Sequence, residues 1–381
     1  MPVSRAGVLA VVAIGWCLSA FAGVAPAAPP RVGVQTHLLW EQVSGSEMRH
    51  QLDLVKRSGA ALTRVDVGWA SLQQSGPGTF EGWYLDKLDA VVAAARERGV
   101  KLLLTFMNTP CWASTAPARL KQGCSGAWWA RGVTAYAPAD PARYARAIGM
   151  LAARYRGAVA GWEIGNEPNH PGFFKAPEPA AAYTAIVRAA YPAVKAADPG
   201  ATVVAGALSQ SDYAFAQKLY DAGIKGSFDA FSIHPYSDDV SPLAPRRNVD
   251  RRYSFIRGVP AIRRVMLRNG DRRPVWLTES GWSTAPVRTS DHWRNGVSEA
   301  RQARFLTLQM KQVARWPWVR ATIWYDLVDD SARSDDLYGN CGLRRADGSA
   351  KPAWTRFVKR ARAWRRATGE PTADLRRRQP A

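Results

Sequence analysis

The sequence predicts an α/β fold, a (β/α)8 TIM barrel in a single domain, and three observations carry that prediction. Apolar runs of strand length alternate with amphipathic runs of helix length through most of the chain, a pattern that calls for a parallel sheet. The alternation repeats eight times, the number that closes a barrel. The 381 residues hold the ~250 such a barrel takes plus its loops. The first strand runs into Gln35-Thr36-His37-Leu38-Leu39-Trp40, without the glycine-rich phosphate loop that an open doubly wound sheet carries there. No Pro/Gly/Ser linker divides the chain.

The elements follow in order. Strand one is expected over Val32–Thr36, with a helix from Glu47 to Arg57 that Gly59 closes in the manner of a left-handed C-cap. Strand two covers Leu62–Val67 and its helix Leu85–Glu97. Strand three, Val100–Phe106, is apolar almost throughout, as a strand covered on both faces should be. A long loop to Ala139 carries Cys111, Cys124, Trp112, Trp128 and Trp129, and a helix follows over Pro141–Arg154. Strand four is Trp162-Glu163-Ile164-Gly165-Asn166-Glu167, stopped by Pro168, which cannot donate to a ladder. Helix 178–195, strand 202–206, helix 213–222 and strand 228–234 come next. Helix 250–267, strand 275–279, helix 299–314, strand 321–325 and helix 352–366 complete eight units.

Composition narrows the class. At 47% hydrophobic and 22% charged the chain is an ordinary globular protein, but 52 Lys+Arg against 31 Asp+Glu leave a net charge of +21. That excess is either a solvated surface or a means of reaching a polyanion. Residues 1–27 have the form of a signal peptide: Arg5, an apolar run from Ala6 to Ala22, then Ala25-Pro26-Ala27. The run is shorter than the ~20 residues a spanning helix needs. A secreted or extracellular barrel over 28–368 is expected, monomeric, without stable membrane insertion, with a basic disordered tail at 369–381. Cys111 and Cys124 can close a short loop in an oxidising compartment, with Cys341 left over or competing for one of them. The histidines show no metal-binding spacing, so neither a metal nor a cofactor is expected. No nucleic-acid motif accompanies the charge.

A barrel of this type builds its site at the carboxyl ends of its strands. Strand one delivers His37, strand two Asp66 and Trp69, strand three Asn108, and strand four Asn166 and Glu167. Strand six brings His234 and Tyr236, strand seven Glu279 and Trp282, and strand eight Trp324 and Asp326. Two carboxylates between aromatic walls suit glycosidic bond cleavage, in which one carboxyl donates a proton and the other attacks the sugar or activates water. Side-chain alternation turns Glu163 into the barrel a layer below Glu167, where pairing with Arg64 is its expected role. Of Trp40, Trp69, Trp112, Trp128, Trp129 and Trp293, two or three are expected to line sugar subsites. Asp329, Asp330, Asp335 and Asp336 are expected to be solvated loop residues.

Asn166-Glu167-Pro168 after strand four, with Glu279-Ser280-Gly281-Trp282 after strand seven, resembles glycoside hydrolase clan A, and family 39-like and family 5-like polysaccharide hydrolases most. The resemblance implies a retaining (β/α)8 enzyme with Glu167 as acid/base and Glu279 as nucleophile. It implies that Asn166 bonds the sugar 2-hydroxyl, that Arg64, His234 and Tyr236 hold the nucleophile ionised, and that Trp324 floors the subsite before the cleaved bond. The chain lacks the β-sandwich of family 39 xylosidases. The expected partner is a β-linked poly- or oligosaccharide, and the basic surface favours one that is anionic or embedded in an anionic wall. A family 18-like mechanism would need an Asp-x-x-Asp-x-Asp-x-Glu run, which Gly165-Asn166-Glu167 does not supply. The alternative from another class is a non-catalytic barrel that binds glycan or cell wall, which would have no need of both glutamates.

Overall fold

In the computed structural model, which describes residues 29–286, 295–333 and 336–368, eight parallel strands close into a barrel in sequence order. They are β1 (Arg31–Thr36), β2 (Leu62–Gly68), β3 (Lys101–Met107), β4 (Gly161–Ile164), β5 (Thr202–Ser209), β6 (Ala230–His234), β7 (Val275–Leu277) and β8 (Val319–Trp324). The helices are α1 (Gly45–Ser58), α2 (Trp69–Leu72), α3 (Gly82–Glu97), α4 (Ala118–Lys121), α5 (Pro141–Arg154), α6 (Pro179–Ala197), α7 (Tyr213–Asp221), α8 (Phe255–Arg268), α9 (Glu299–Val313) and α10 (Pro352–Ala367). The expected leader (1–27), the tail (369–381), Trp293 and Asp335 lie outside the described residues. No helix among the described residues is long and apolar enough to cross a membrane.

Local chemistry sets the helix ends. Ser44 caps α1 by accepting from the Glu47 amide, and Gly59 ends it with its N–H on the Lys56 carbonyl. Asp140 caps α5 ahead of Pro141, and Ser298 caps α9. The loop after β3 is more ordered than its sequence suggested. It holds α4 and three 3-10 turns, tied by a Cys111–Cys124 disulfide and packed on the buried Trp128 and Val133. Cys341 is free and buried.

Beside the cluster under the loop after β3, two apolar cores result. The larger lies between the barrel and its helices. The smaller fills the barrel's lower interior with Leu62, Leu103, Val204, Ala230, Trp276, Ala321 and Ile323. Above it, toward the carboxyl ends, the inward positions turn polar: Gln35, Arg64, Thr105 and Glu163 are all buried. Period-two alternation puts Leu62, Arg64 and Asp66 of β2 on one face in successive layers. The barrel interior therefore changes from hydrocarbon to ion pairs just below the mouth.

Three strands are shorter than expected: β6 starts at Ala230 in place of Phe228, and two others stop early. β4 stops at Ile164 and β7 at Leu277, so Glu167 and Glu279 stand beyond the strands, not in them. At β4 the cause is backbone geometry: Gly165 (φ 69°) and Glu167 (φ 44°) are left-handed, which ends the ladder before Pro168 can. α8 starts at Phe255 behind a 3-10 turn over Arg251–Tyr253, later than the expected Asp250.

Candidate active site

The mouth is organised around one buried guanidinium. Arg64 is 1% exposed. Its Nε donates to Glu163 Oε2 (2.6 Å), one terminal nitrogen to Glu279 Oε1 (2.7 Å) and Gln35 Oε1 (3.0 Å), and the other to Asn166 Oδ1 (2.8 Å). A planar fork suits this task, because it meets several acceptors in fixed directions. Burial alone would lower the Arg64 pKa, but Glu163, Glu279 and Asp66 outweigh it and push it above its ordinary value. The same balance acts on Glu163: burial would raise it, and Arg64 and His234 hold it below the usual carboxylate range. Thr105 Oγ1 also donates to Glu163, at 2.8 Å.

Both oxygens of Glu279 accept hydrogen bonds, Oε1 from Arg64 and Oε2 from the Tyr236 hydroxyl at 2.8 Å. Burial, then the neighbouring Glu279, pushes the Tyr236 hydroxyl well above its ordinary pKa, so it remains a donor. His234 Nδ1 lies 3.0 Å from Glu167 Oε1 and 3.6 Å from Glu279 Oε2. Burial would lower the imidazole, but Glu279 and Glu167 together raise it. One oxygen from each glutamate and one nitrogen of His234 all lie within 4.8 Å of one another. Two carboxylates from opposite sides of the barrel thus converge on one point, their side chains 12% (Glu167) and 11% (Glu279) exposed.

Glu167 is held by backbone. Its amide donates to the Ala207 carbonyl at 2.9 Å, which a bulge in β5 presents. Ala207 is left-handed (φ 43°) and Gly206 stands at φ 115°. A Cβ at Gly206 would lie 2.5 Å from the Ser232 carbonyl oxygen, so only glycine fits there. The Ser232 hydroxyl accepts from the Ala207 amide at 2.7 Å, and Asn169 grips both backbone groups of Ser209.

The expected site residues divide into three groups. Glu167, Glu279, Asn166, Arg64, His234 and Tyr236 form one bonded cluster. His37 stands beside it, 3.3 Å from Asp66 and 3.7 Å from Asp326, with its ring stacked on Trp40 at 3.9 Å. Burial would raise Asp66, but the His37 bond and Arg64 hold it low. Asp326, buried, is pushed up to about 7, with His37 opposing and Asp329 assisting.

Trp324 and Trp282 are nearly buried, packed against each other at 5.9 Å, with their indole nitrogens on the Cys341 and Val240 carbonyls. Trp282 is therefore wall support. Trp69 is fully buried against Phe106, Trp112 and Tyr144, with its Nε1–H on Gln73, and presents no ring face to a ligand. Asn108 is exposed at the end of β3 and joins the cluster through no side-chain bond. Among the loop tryptophans, Trp128 is buried, Trp129 is exposed, and Trp40 borders the cluster through its stack on His37. The aspartates after β8 are not simply solvated. Asp329 pairs with the buried Lys351 at 2.7 Å and Asp336 with Arg333 at 2.6 Å.

Four residues of the mouth have no place in the sequence reading. Gln35 bridges Arg64 and Asp66. Gln210, beside His234 at the end of β5, has a buried amide oxygen without a hydrogen bond. Tyr325 and the exposed Tyr338 pack around Tyr236. Gln35 carried a signal, being a polar residue facing inward in an apolar strand. The tyrosines carried none, because loop packing places them.

The sequence profile described as Cellulase (glycosyl hydrolase family 5) matches residues 27–318. The chain belongs to glycosyl hydrolase family 5. Its barrel is that of clan A, the resemblance on which the sequence reading rested. Solved structures agree in fold. A family 39 glycoside hydrolase from the gut symbiont Bacteroides cellulosilyticus WH2 aligns at TM-score 0.65 and 22% identity over 88% of this chain and 64% of its own. The exo-beta-1,4-mannosidase Op5Man5 from Opitutaceae bacterium strain TAV5 aligns at 0.64 and 18% over 90% and 60%. GH5_18 from Streptomyces cattleya, in complex with GlcNAc, aligns at 0.61 and 21% over 89% and 81%. The family 5 chain therefore spans less than two thirds of the first two. No curated protein sequence matches it.

Proposed function

We propose that this family 5 protein is a secreted retaining glycoside hydrolase that cleaves β-linked O-glycosidic bonds in a poly- or oligosaccharide by double displacement. One observation carries the reading: Glu167 and Glu279 reach one point from opposite sides of the barrel, with oxygens within 4.8 Å. Retention calls for carboxyls ~5–5.5 Å apart, whereas inversion needs ~6.5–9.5 Å to admit a water between them.

The environments support this division of roles. Glu279, with both oxygens accepting, is arranged as a nucleophile. Glu167 accepts one side-chain hydrogen bond among the described residues, from His234, which suits a group that gives a proton to the leaving oxygen and later takes one from water. Asn166, fixed by Arg64, presents its amide N–H to a sugar hydroxyl. Trp40 and Tyr338 supply apolar surface for sugar rings. Export rests on the leader-like start and on the disulfide, which suits an oxidising compartment.

Glu279→Ala and Glu167→Gln should each remove nearly all turnover with the fold intact. Azide should restore turnover to Glu279→Ala with a glycosyl azide of inverted configuration, and to Glu167→Ala with retained configuration. Equal turnover in wild type and either variant would overturn the assignment. A panel of β-mannan, β-glucan and xylan oligosaccharides identifies the sugar. β-1,4-Mannosides come first in that panel, since Op5Man5 is an exo-beta-1,4-mannosidase.

A further inference from the structure

The net charge of +21 is not spread evenly along the barrel axis. The mouth collects carboxylates: Asp66 lies near the end of β2, and Glu167, Asp238, Glu279, Asp326 and Asp336 follow strand ends. The opposite, amino-terminal end is basic. A cavity of about 700 Å³ opens there, walled by Arg31, Lys101 and Arg365. A second of about 270 Å³, walled by Arg96, Lys101 and Arg156, shares Gly99, Lys101 and Gly157 with the first. Together they form one groove across the base, between β1, β3 and β4. Its single lining acid is Asp198, which is buried and turned onto the Gly157 and Gly200 amides at 2.9 and 3.2 Å. Arg96, Lys101 and Arg156 are exposed.

Helix dipoles account for only part of this charge. Helix carboxyl ends converge on the base and favour cations in their last turn, which explains Arg96 at the end of α3 and Arg365 at the end of α10, with Arg156 just past the end of α5. Arg31 and Lys101 are the first residues of strands, and no helix end explains them. Among the described residues the groove walls carry no aromatic ring on which a nucleobase could stack and no protruding apolar side chain that could enter a bilayer.

We propose that this basal groove binds an anionic polysaccharide, a chain of carboxylated sugars, at a site separate from the mouth. Tethered by its base, the barrel keeps its carboxylate-lined mouth open to a second glycan strand. The inference concerns binding alone and stands whether or not Glu167 and Glu279 catalyse.

The test is affinity for polygalacturonate at 20 and 300 mM NaCl, with neutral dextran, duplex DNA and phosphatidylserine vesicles as comparison probes. The variant is Arg96→Glu/Lys101→Glu/Arg156→Glu. Its control is Arg49→Glu/Arg188→Glu/Arg304→Glu, the same charge change on exposed positions of α1, α6 and α9. The proposal expects wild type to bind polygalacturonate, not dextran, and to weaken at least ten-fold at the higher salt. It expects the basal variant to lose at least ten-fold at low salt and the control less than three-fold. Equal losses in both variants, no loss in the basal one, or binding of DNA or vesicles as tight as of polygalacturonate would overturn it. Lys101→Glu alone, at the shared wall, should lose about three-fold and serves if the triple variant does not fold.

Discussion

Arg64→Met is the substitution that most directly probes how the site is built. The guanidinium is 1% exposed and donates to four side chains, two of them the carboxylates of Glu163 and Glu279. Methionine matches the stem of arginine and removes every donor. Glu163, fully buried, would then keep only the Thr105 hydroxyl, and Glu279 only Tyr236. Removing one partner of a buried ion pair costs about 3–5 kcal/mol, because a buried charge is left without compensation. The loss should appear in the guanidinium chloride midpoint at pH 7. Adding Glu163→Gln removes the stranded charge, so the double variant should recover about 2 kcal/mol of that loss. Turnover should fall at least about a hundredfold in both, since Glu279 and Asn166 lose the same donor whichever residue occupies position 163. A loss in Arg64→Met below about 1 kcal/mol, or a double variant no more stable than the single one, would refute the view that this guanidinium compensates the carboxylates.

Asp326 gives a pH test. Its folded pKa, pushed up to about 7, exceeds the ~3.9 of an unfolded aspartate, so the folded state alone holds the proton between those values. Its contribution is intact below about pH 4 and is lost as pH rises to about 7, by at most about 4 kcal/mol. The melting temperature of wild type should therefore fall over that window relative to Asp326→Asn, and parallel curves would refute the assignment. Gly206→Ala should collapse the β5 bulge through its contact with the Ser232 carbonyl. It should lower kcat roughly ten- to a hundredfold, because Glu167 loses its anchor on Ala207; an unchanged kcat counts against that anchor. Cys124→Ser opens a disulfide of sequence separation 13 and should cost about 3 kcal/mol in denaturant unfolding, while a midpoint within error of wild type would mean that the loop is closed without it.

The architecture was legible because eight amphipathic alternations leave few ways to bury their apolar faces, and helix ends such as Pro141 and Gly59 carry their own signals. The ion pair of Arg64 with Glu163 was legible for a related reason: a charged residue facing inward in an apolar strand must find its opposite charge. What could not be read was the backbone beyond the strand ends. Alternation assigns Glu167 to a face of β4, but β4 ends at Ile164, and two left-handed residues aim Glu167 instead. Trp69 looked like a subsite wall because it follows β2. It is a core residue because α2 starts at that position and turns the ring inward against Phe106 and Tyr144. Tyr325, Tyr338 and Gln210 enter the mouth through loop paths and a bulge, which no periodicity encodes.

The two glutamates are thus held by different means, and the difference follows their proposed tasks. Glu279 is fixed through its carboxylate, by Arg64 and Tyr236, from strands β2 and β6 and their ends. A group that forms and releases a covalent bond needs its attacking oxygen placed and both oxygens solvated by fixed donors before the sugar arrives. Glu167 is fixed through its amide, on the Ala207 carbonyl, with one side-chain contact to His234. A group that gives and then takes a proton changes charge twice in each cycle, and hard donors on both oxygens would oppose its protonated state. Anchoring the backbone leaves that carboxyl free to change state while keeping it within reach of Glu279. The β5 bulge, which presents the Ala207 carbonyl, is what makes this division possible.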